Sequence, residues 1–466
     1  MTTYMHYATL LEAAAALRSR KVSAVELTRA LLDRIAKVDP SLHSYATVTP
    51  DLALKQAEDA DAEIATGDYR GPLHGVPIAV KDIFDAAGVV TAAGMTIYAD
   101  NVPDHDSTVV KRLRGAGAVL LGKLQNTEGA FVSHHPKITP PRNPWNADYY
   151  AGASSSGSGV ATAAGLCFGS LGSDTGGSIR FPSAANGITG LKPTWGRVSR
   201  FGAFALAESS DHIGPMTRSA ADAGVILGAI AGRDSNDPTT LIDPVPDYLA
   251  ELETGIRGVR IGIDAAYNET GCDAQTVAAV REARRVFESL GSTIKEVTLP
   301  DPSDVMVTTA WGTICAPETA IAHKDTYPAR ASEYGGLRNL IEAGRATTGM
   351  EVMEAYHKRL AFTGNLAALF ADIDLLLIPT QTHADFTVAQ EQELFSTAEG
   401  LSGFIRFATP FDMSGNPTIT LPGGFTPKGL PLSFQLVSRP LEEALLVRAG
   451  HAYQQVTDWH HRHPSI

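Results

Sequence analysis

The chain has 466 residues, of which 44% are hydrophobic and 19% charged, with 43 glycines and 27 prolines. An average soluble protein has about 25% charged residues, so this composition excludes a disordered chain, a coiled coil and a collagen-like repeat. The net charge of -13 argues against binding to nucleic acid or to anionic membranes, which both require clustered lysine and arginine. We therefore expect a large, loop-rich globular protein.

The sequence predicts neither a disulfide framework nor a targeting segment. Its three cysteines, Cys167, Cys272 and Cys315, are far apart and odd in number, which is typical of free thiols. The N-terminus has no basic segment before its apolar one, so we predict a cytoplasmic protein without a signal peptide. Residues 149–173 contain no charged side chain, but six serines and six glycines make them too polar for a membrane span.

Hydrophobic periodicity predicts helices and strands that alternate along the chain, which is typical of parallel βαβ units. A capping box of Ser23 and Glu26 marks the start of the second helix. The apolar run VPIAV at residues 76–80 is typical of a buried strand. We predict helices over residues 8–19, 23–38, 52–66, 107–116, 158–167, 274–290 and 440–456, and strands over 76–80, 118–121, 168–172, 259–263, 292–299, 375–380, 419–421 and 431–437.

Two motif-like segments do not support a site. GAVLLGKL at residues 117–124 matches the phosphate-binding pattern GxxxxGK, but Leu124 stands where that loop requires Ser or Thr for magnesium. The segment is also predicted as a strand. The histidines of the C-terminal tail, His460, His461 and His463, are interpreted as solvated side chains.

Serine- and glycine-rich segments in the middle of the chain carry the densest chemical signal. Residues 152–159 read GASSSGSG, and residues 172–182 read GSDTGGSIRFP. Two glycines directly before Ser178 allow successive backbone N–H groups to point into a cavity, where they stabilise an oxyanion. Ser178 is therefore a candidate nucleophile.

A nucleophilic serine needs a base, and Lys81 is the candidate. It ends the apolar run VPIAVK, so burial is expected to lower its pKa. A change from about 10.4 to below 7 corresponds to roughly 4 to 5 kcal/mol. The residues alone leave two interpretations open: a catalytic base, or a structural lysine in an ion pair with Asp82 or Asp85.

These segments resemble the amidase signature family, serine hydrolases with a Ser–cis-Ser–Lys triad. The resemblance implies one domain over residues 1–466, with an N-terminal helical segment at about 1–66 and a signature core at about 70–225. It also implies an α/β fold with a large, mixed, mainly parallel twisted sheet covered by helices on both faces. The matching segments are GVPIAVKD (75–82), GASSSGSG (152–159), GSDTGGSIRFPSAANGITGLKPTWGRVS (172–199) and DHIGPMTRSAAD (211–222).

Position by position, the resemblance implies that Ser178 is the nucleophile, Ser154 the bridging serine on a cis peptide bond, and Lys81 the neutral general base. One departure is Ala153, because many family members have glycine before the bridging serine. The resemblance assigns the oxyanion hole to the backbone N–H groups of Thr175, Gly176, Gly177 and Ser178. It gives supporting roles near the triad and its loop to Ser155, Asp174 and Arg180.

The implied function is hydrolysis of linear amides through an acyl-enzyme, with no metal or organic cofactor. The expected partner is a small-molecule amide, ester or carbamate, and a homodimer is left open. An alternative is the glutamine-hydrolysing component of a tRNA-dependent amidotransferase. That component holds the glutamine ammonium with an acidic residue, where our alignment puts Ile405 in this chain. A second alternative is a binding module on an inactive amidase scaffold, which the presence of all three triad residues disfavours.

Candidates for the substrate pocket come from loops outside the signature core. The scarcity of charge in these loops favours aryl or alkyl groups over charged amino acids. The four candidates are Phe131, Trp311, Ile314 and Met413.

Overall fold

A single mixed sheet of eleven strands runs through the part of the protein that the structure describes. This computed structural model describes residues 2–466, with side chains from residue 5 onward. The order across the sheet is β1-β3-β2-β4-β6-β5-β10-β11-β9-β7-β8. The strands are β1 (Tyr45–Val48), β2 (Pro77–Lys81), β3 (Val119–Leu124), β4 (Gly169–Asp174), β5 (Thr189–Lys192), β6 (His212–Thr217), β7 (Arg260–Ile263), β8 (Thr293–Glu296), β9 (Leu375–Pro379), β10 (Thr418–Phe425) and β11 (Pro431–Ser438).

Sixteen α-helices pack on this sheet, and all seven predicted helices are among them. The predicted capping box of Ser23 and Glu26 is present at the start of the second helix. The helices are α1 (Leu10–Arg18), α2 (Ala24–Leu42), α3 (Pro50–Thr66), α4 (Thr108–Gly115), α5 (Ser156–Ala163), α6 (Arg180–Asn186), α7 (Ala220–Ile230), α8 (Ala265–Glu269), α9 (Ala274–Ser289), α10 (Ala310–Ala322), α11 (Leu337–Ala346), α12 (Gly349–Leu369), α13 (Val388–Leu394), α14 (Ala398–Phe404), α15 (Thr409–Met413) and α16 (Glu443–Gln454).

The strand directions correct one prediction, because the sheet is mixed but not mainly parallel. Six of its ten neighbouring strand pairs are antiparallel. The four parallel pairs link β2 to β3 and β4, and β7 to β8 and β9. The predicted βαβ units are therefore real, but they occupy two separate regions of the sheet. Between them lie β5 and β6, which were not predicted, and the β10–β11 hairpin, which turns at Gly429.

Burial shows that both faces of the inner strands are covered. Every residue of β2, β3, β4, β5, β6, β9 and β11 is buried. A strand buried on both faces reads as a continuous apolar or small-residue run rather than an alternating one. The edge strands β1 and β8 remain partly exposed.

Gly214 of β6 tests how closely the inner strands are packed. A Cβ atom at this position would stand 2.1 Å from the Leu191 carbonyl oxygen, so the backbone must shift to admit any side chain. We expect Gly214→Ala to lower the free energy of unfolding by about 1–3 kcal/mol, measured from the urea midpoint. In the matched control Gly364→Ala, the new methyl group meets nothing within 4 Å on α12. Helix propensity should make that variant more stable by about 0.5–1 kcal/mol, and equal effects of both changes would contradict the prediction.

Candidate active site

The topology brings three signature segments to one edge of the sheet. β2 ends at Lys81 and its parallel neighbour β4 ends at Asp174, so the carboxyl ends of two adjacent strands meet there. The loop of residues 175–179 follows β4 and leads into α6. Helix α5 packs against β4, and Ser154 and Ser155 directly precede its first turn. Lysine and serines that are distant in sequence are therefore neighbours in space.

Lys81 is completely buried and contacts serine hydroxyl groups. Its Nζ donates hydrogen bonds to Ser154 Oγ at 2.6 Å, Ser173 Oγ at 2.9 Å and Ser155 Oγ at 3.0 Å. Burial lowers the pKa of Lys81 to about 7, against the opposing effect of two nearby buried carboxylates. Close to neutral pH, the amine is therefore present in both its charged and its neutral form.

The acidic residues that follow Lys81 in sequence have other partners. Asp82 forms a buried ion pair with Lys123, whose Nζ lies 3.1 Å from the carboxylate. Asp85 faces His105 at 3.6 Å. The ion pair considered for Lys81 from the sequence is therefore wrong for both acids. Lys123 belongs to the GxxxxGK segment, which forms β3 and not a phosphate-binding loop.

Ser154 and Ser178 line the same cavity, and Ser178 is partly exposed to it. The peptide bond between Ala153 and Ser154 is cis. The backbone N–H of Ser155 donates to the Ser178 carbonyl oxygen at 3.3 Å, and that of Thr127 donates to the Ser154 carbonyl oxygen at 3.2 Å. These bonds join the two serine segments through their backbones and leave both side chains at the cavity wall.

The loop from Thr175 to Ser178 offers fewer free donors than the four predicted. The Gly177 N–H already donates to Asp174 Oδ1 at 2.6 Å, so its assignment as a free oxyanion donor needs correction. The N–H groups of Thr175, Gly176 and Ser178 donate to no acceptor among the described residues. Gly177 has a φ of +123°, in the left-handed region that favours glycine.

Asp174 and Arg180 form a buried network that holds this loop. Arg180 donates to both carboxylate oxygens of Asp174, at 2.7 and 3.0 Å, and to Asp412 at 2.6 Å. It also donates to the Ala408 carbonyl oxygen at 2.9 Å. Burial alone would raise the pKa of Asp174, but the charge and hydrogen bonds of Arg180 hold it well below its usual range. The network thereby ties the loop after β4 to the segment around α15.

Two further contacts on this loop were missed by sequence reasoning. Thr175 Oγ1 donates to Asp211 Oδ1 at 2.5 Å, and Trp311 Nε1 donates to the Thr175 carbonyl oxygen at 2.7 Å. Burial raises the pKa of Asp211 to about 6. Asp211 opens the signature segment DHIGPMTRSAAD, which was the available signal, whereas nothing near Trp311 in sequence indicates this contact.

The cavity above Ser154 and Ser178 encloses about 390 Å³ and is predominantly aromatic. None of the described side chains on its wall carries a charge. Besides the two serines, Thr175 and Gly176, the wall consists of Ala130, Phe131, Val132, Tyr150, Ala153, Phe181, Leu206, Trp311, Phe395, Leu401, Phe404 and Ile405.

Of the four predicted pocket residues, two lie on this wall and two do not. Phe131 and Trp311 line the cavity. Ile314 and Met413 are each 1% exposed and belong to the hydrophobic core, so their assignment to the pocket is wrong. Ile314 shares α10 with Trp311, but its side chain packs inward. Ile405, at the position compared with the amidotransferase acid, does line the cavity.

Comparisons with known proteins identify the family. The sequence profile of the Amidase family matches residues 26–447, so the chain belongs to the amidase signature enzymes. It is 49% identical to the putative amidase AmiD of Mycobacterium tuberculosis over 98% of this chain and 96% of that protein. It is 38% identical to the matching component of glutamyl-tRNA(Gln) amidotransferase from Geobacter sp., over 95% and 96%. The native peptide amidase from Stenotrophomonas maltophilia shares its fold with a TM-score of 0.85, at 30% identity over 99% of both chains.

The chain is therefore an amide-hydrolysing enzyme that acts on a small-molecule amide. No helix in the described residues is long and apolar enough to cross a membrane. Within residues 5–466, no three His, Cys, Asp or Glu side chains cluster in a way that could hold a metal ion.

The buried Arg180 network should contribute far more to stability than an exposed ion pair. Replacing Arg180 with Met leaves two buried carboxylates without their cation, so we expect a loss of about 3–5 kcal/mol in the free energy of unfolding. The matched control is Arg462→Met, which removes an exposed contact with Asp458 and should change stability little. Thermal unfolding of both variants measures the difference, and similar midpoints would contradict a structural role for the network.

Proposed function

We propose that the enzyme hydrolyses uncharged aryl or alkyl amides through an acyl-enzyme on Ser178, and that esters and carbamates of similar shape are also substrates. The observation that carries this proposal is the environment of Lys81. A fully buried amine with a pKa of about 7 contacts three serine hydroxyls and no carboxylate. That environment suits a base that must be neutral when it accepts a proton.

The proton path follows from these contacts. The neutral Lys81 amine accepts the proton of the Ser154 hydroxyl along the 2.6 Å contact, and Ser154 in turn accepts the proton of Ser178. Ser178 Oγ then bonds to the substrate carbonyl carbon. The proton returns through Ser154 to the leaving amine as the C–N bond breaks, and water hydrolyses the acyl-enzyme by the reverse proton path.

Negative charge on the carbonyl oxygen would be stabilised by backbone N–H groups. In this proposal the donors are the free N–H groups of Thr175, Gly176 and Ser178, while the Gly177 N–H keeps its bond to Asp174. Ser155 supports the path through its contact with Lys81, and Asp174 and Arg180 hold the loop. Removing one such donor in other enzymes lowers kcat by about 10²–10³-fold.

The second candidate is glutamine hydrolysis within an amidotransferase, which the 38% identity to the amidotransferase component favours. Glutamine carries an ammonium and a carboxylate, and each loses hydration in a cavity unless an opposite charge faces it. The cavity wall offers none, and Ile405 stands at the compared position. We therefore place uncharged amides first. The purified chain should cleave a 4-nitroanilide without any partner protein and release little ammonia from glutamine, and the reverse result would favour the second candidate.

Replacing the proposed nucleophile provides the direct test. We expect Ser178→Ala to lower kcat for a 4-nitroanilide by about 10⁴-fold or more, because no hydroxyl remains to form the acyl-enzyme. The control is Ser289→Ala at the exposed end of α9, which should retain full activity. Release of 4-nitroaniline measures the rate and the melting temperature checks the fold, and a folded Ser178→Ala protein with near-normal turnover contradicts the assignment.

The pH dependence tests Lys81. Because only the neutral amine accepts a proton, we expect kcat/KM to be low in acid and to rise with pH through a midpoint near 7. Lys81→Met should be slower by several orders of magnitude, and its residual rate should lack this rise.

Lys192 provides a matched control for that measurement. Burial also lowers its pKa to about 7, but its Nζ donates to the Asn416 carbonyl oxygen at 2.6 Å and contacts no serine hydroxyl. In Lys192→Met, the rise in kcat/KM should keep its midpoint even if the variant is less stable. Loss of the rise in Lys192→Met, with its retention in Lys81→Met, would transfer the base role away from Lys81.

A further inference from the structure

A second, larger cavity adjoins the catalytic one, and we call it the vestibule. It encloses about 1440 Å³ including its open mouth, and α10, α11 and the start of α14 form most of its wall. Five residues are shared between its wall and that of the catalytic cavity, so the two spaces meet. The shared residues are Phe131, Val132, Trp311, Phe395 and Leu401.

No described side chain on the vestibule wall is charged. Its polar groups are hydroxyls and one amide, contributed by Ser133, Thr308, Thr309, Thr313, Asn339, Thr347, Ser396 and Thr397. The remaining wall is apolar or glycine. A wall that combines hydroxyl groups with apolar surface can exchange hydrogen bonds with neutral polar groups, but it cannot neutralise an ion.

The surrounding segments do contain charge, but they present it elsewhere. Arg338, Glu342 and Arg345 of α11 are exposed and do not lie on the vestibule wall, whereas Leu337, Asn339, Leu340 and Ala343 of the same helix do. Glu399 of α14 is likewise exposed and off the wall. The absence of charge is therefore a property of the wall and not of the local composition.

We infer that the vestibule binds the part of the substrate that is remote from the scissile bond, and that this part is long and uncharged. The inference rests on the proposed amidase function and narrows its substrate class to extended neutral amides. Apolar segments of such a tail would be buried against Trp311, Leu340 and Leu401, and neutral hydroxyl, ether or amide groups would bond to the threonines. A terminal carboxylate or ammonium would lose hydration without gaining a counter-ion.

A substrate series tests the length and the charge of this tail. One set varies an acyl chain from two to ten carbons on 4-nitroaniline, and a second set keeps an acetyl group and lengthens the amine. We expect kcat/KM in one of the two sets to rise about two- to fourfold per added methylene until the vestibule is filled. Replacing the terminal methyl by carboxylate or ammonium should lower it at least tenfold, while a terminal hydroxyl should lower it less. Flat profiles in both sets, or equal rates for neutral and charged tails, overturn the inference.

A charge introduced on the wall should change this selectivity. Thr313 on α10 is half-buried, so Thr313→Lys places an ammonium at the vestibule and should raise the carboxylate-to-methyl ratio of kcat/KM at least tenfold. Thr313→Met, of similar length and no charge, should leave that ratio low. Ala346→Lys adds the same charge at the exposed end of α11, off the wall, and should also leave the ratio low. An equal rise in all three variants would overturn the inference.

A binding measurement separates this inference from the proposed function. If no anilide of any length is turned over, the proposed function fails. Calorimetric titration of the Ser178→Ala protein with an eight-carbon neutral amide and with its terminal carboxylate then decides the inference independently. Tighter binding of the neutral compound by at least tenfold supports it, and equal or absent binding of both contradicts it.

Discussion

A lysine that is buried without a carboxylate partner is the constraint on which the rest of this site depends. Lys81 is 0% exposed, and isolated charge in such surroundings costs several kcal/mol. Two ways out exist: an ion pair, or loss of the proton near neutral pH. The protein has taken the second, because only hydroxyls surround the amine. A hydroxyl can accept a hydrogen bond from the ammonium and donate one to the neutral amine, so it tolerates both forms.

Keeping Lys81 unpaired requires that every nearby acid be occupied elsewhere. Consecutive residues of a strand point to opposite faces, so Asp82 at the end of β2 points away from the serines. There Lys123 of the neighbouring strand β3 meets it at 3.1 Å. Asp174 is held in the same way by Arg180, at 2.7 Å. Each buried carboxylate thus has its own cation, which limits how strongly it can raise the pKa of Lys81. Strand alternation and ion pairing together make the unusual lysine compatible with an acidic chain.

Much of this arrangement was predictable from the sequence, because it depends on local patterns. Helices with capping residues and periodic apolar faces, such as α2, are encoded within their own segments. Strand direction is not, since it depends on which distant strand lies alongside. β5 has only four residues, TGLK, and is a strand because β6 and β10 pair with it. The sequence pattern also could not show that the Gly177 N–H is already engaged, since that contact depends on how the loop folds back on Asp174.

The cavity wall was the least predictable part, and the reason bears on how such enzymes differ. Lys81, Ser154 and Ser178 come from the signature core, whereas Trp311, Ile405 and their neighbours come from segments far along the chain. These distant segments can change without altering the proton path, provided that their anchor remains. Arg180 supplies that anchor, because one side chain holds Asp174 on the catalytic loop and the Ala408 carbonyl oxygen beside Ile405. Substrate choice can therefore vary among relatives that share the same lysine and serines, which is why the family signature alone does not define the substrate, and why the uncharged walls of the two adjoining cavities are the more informative feature.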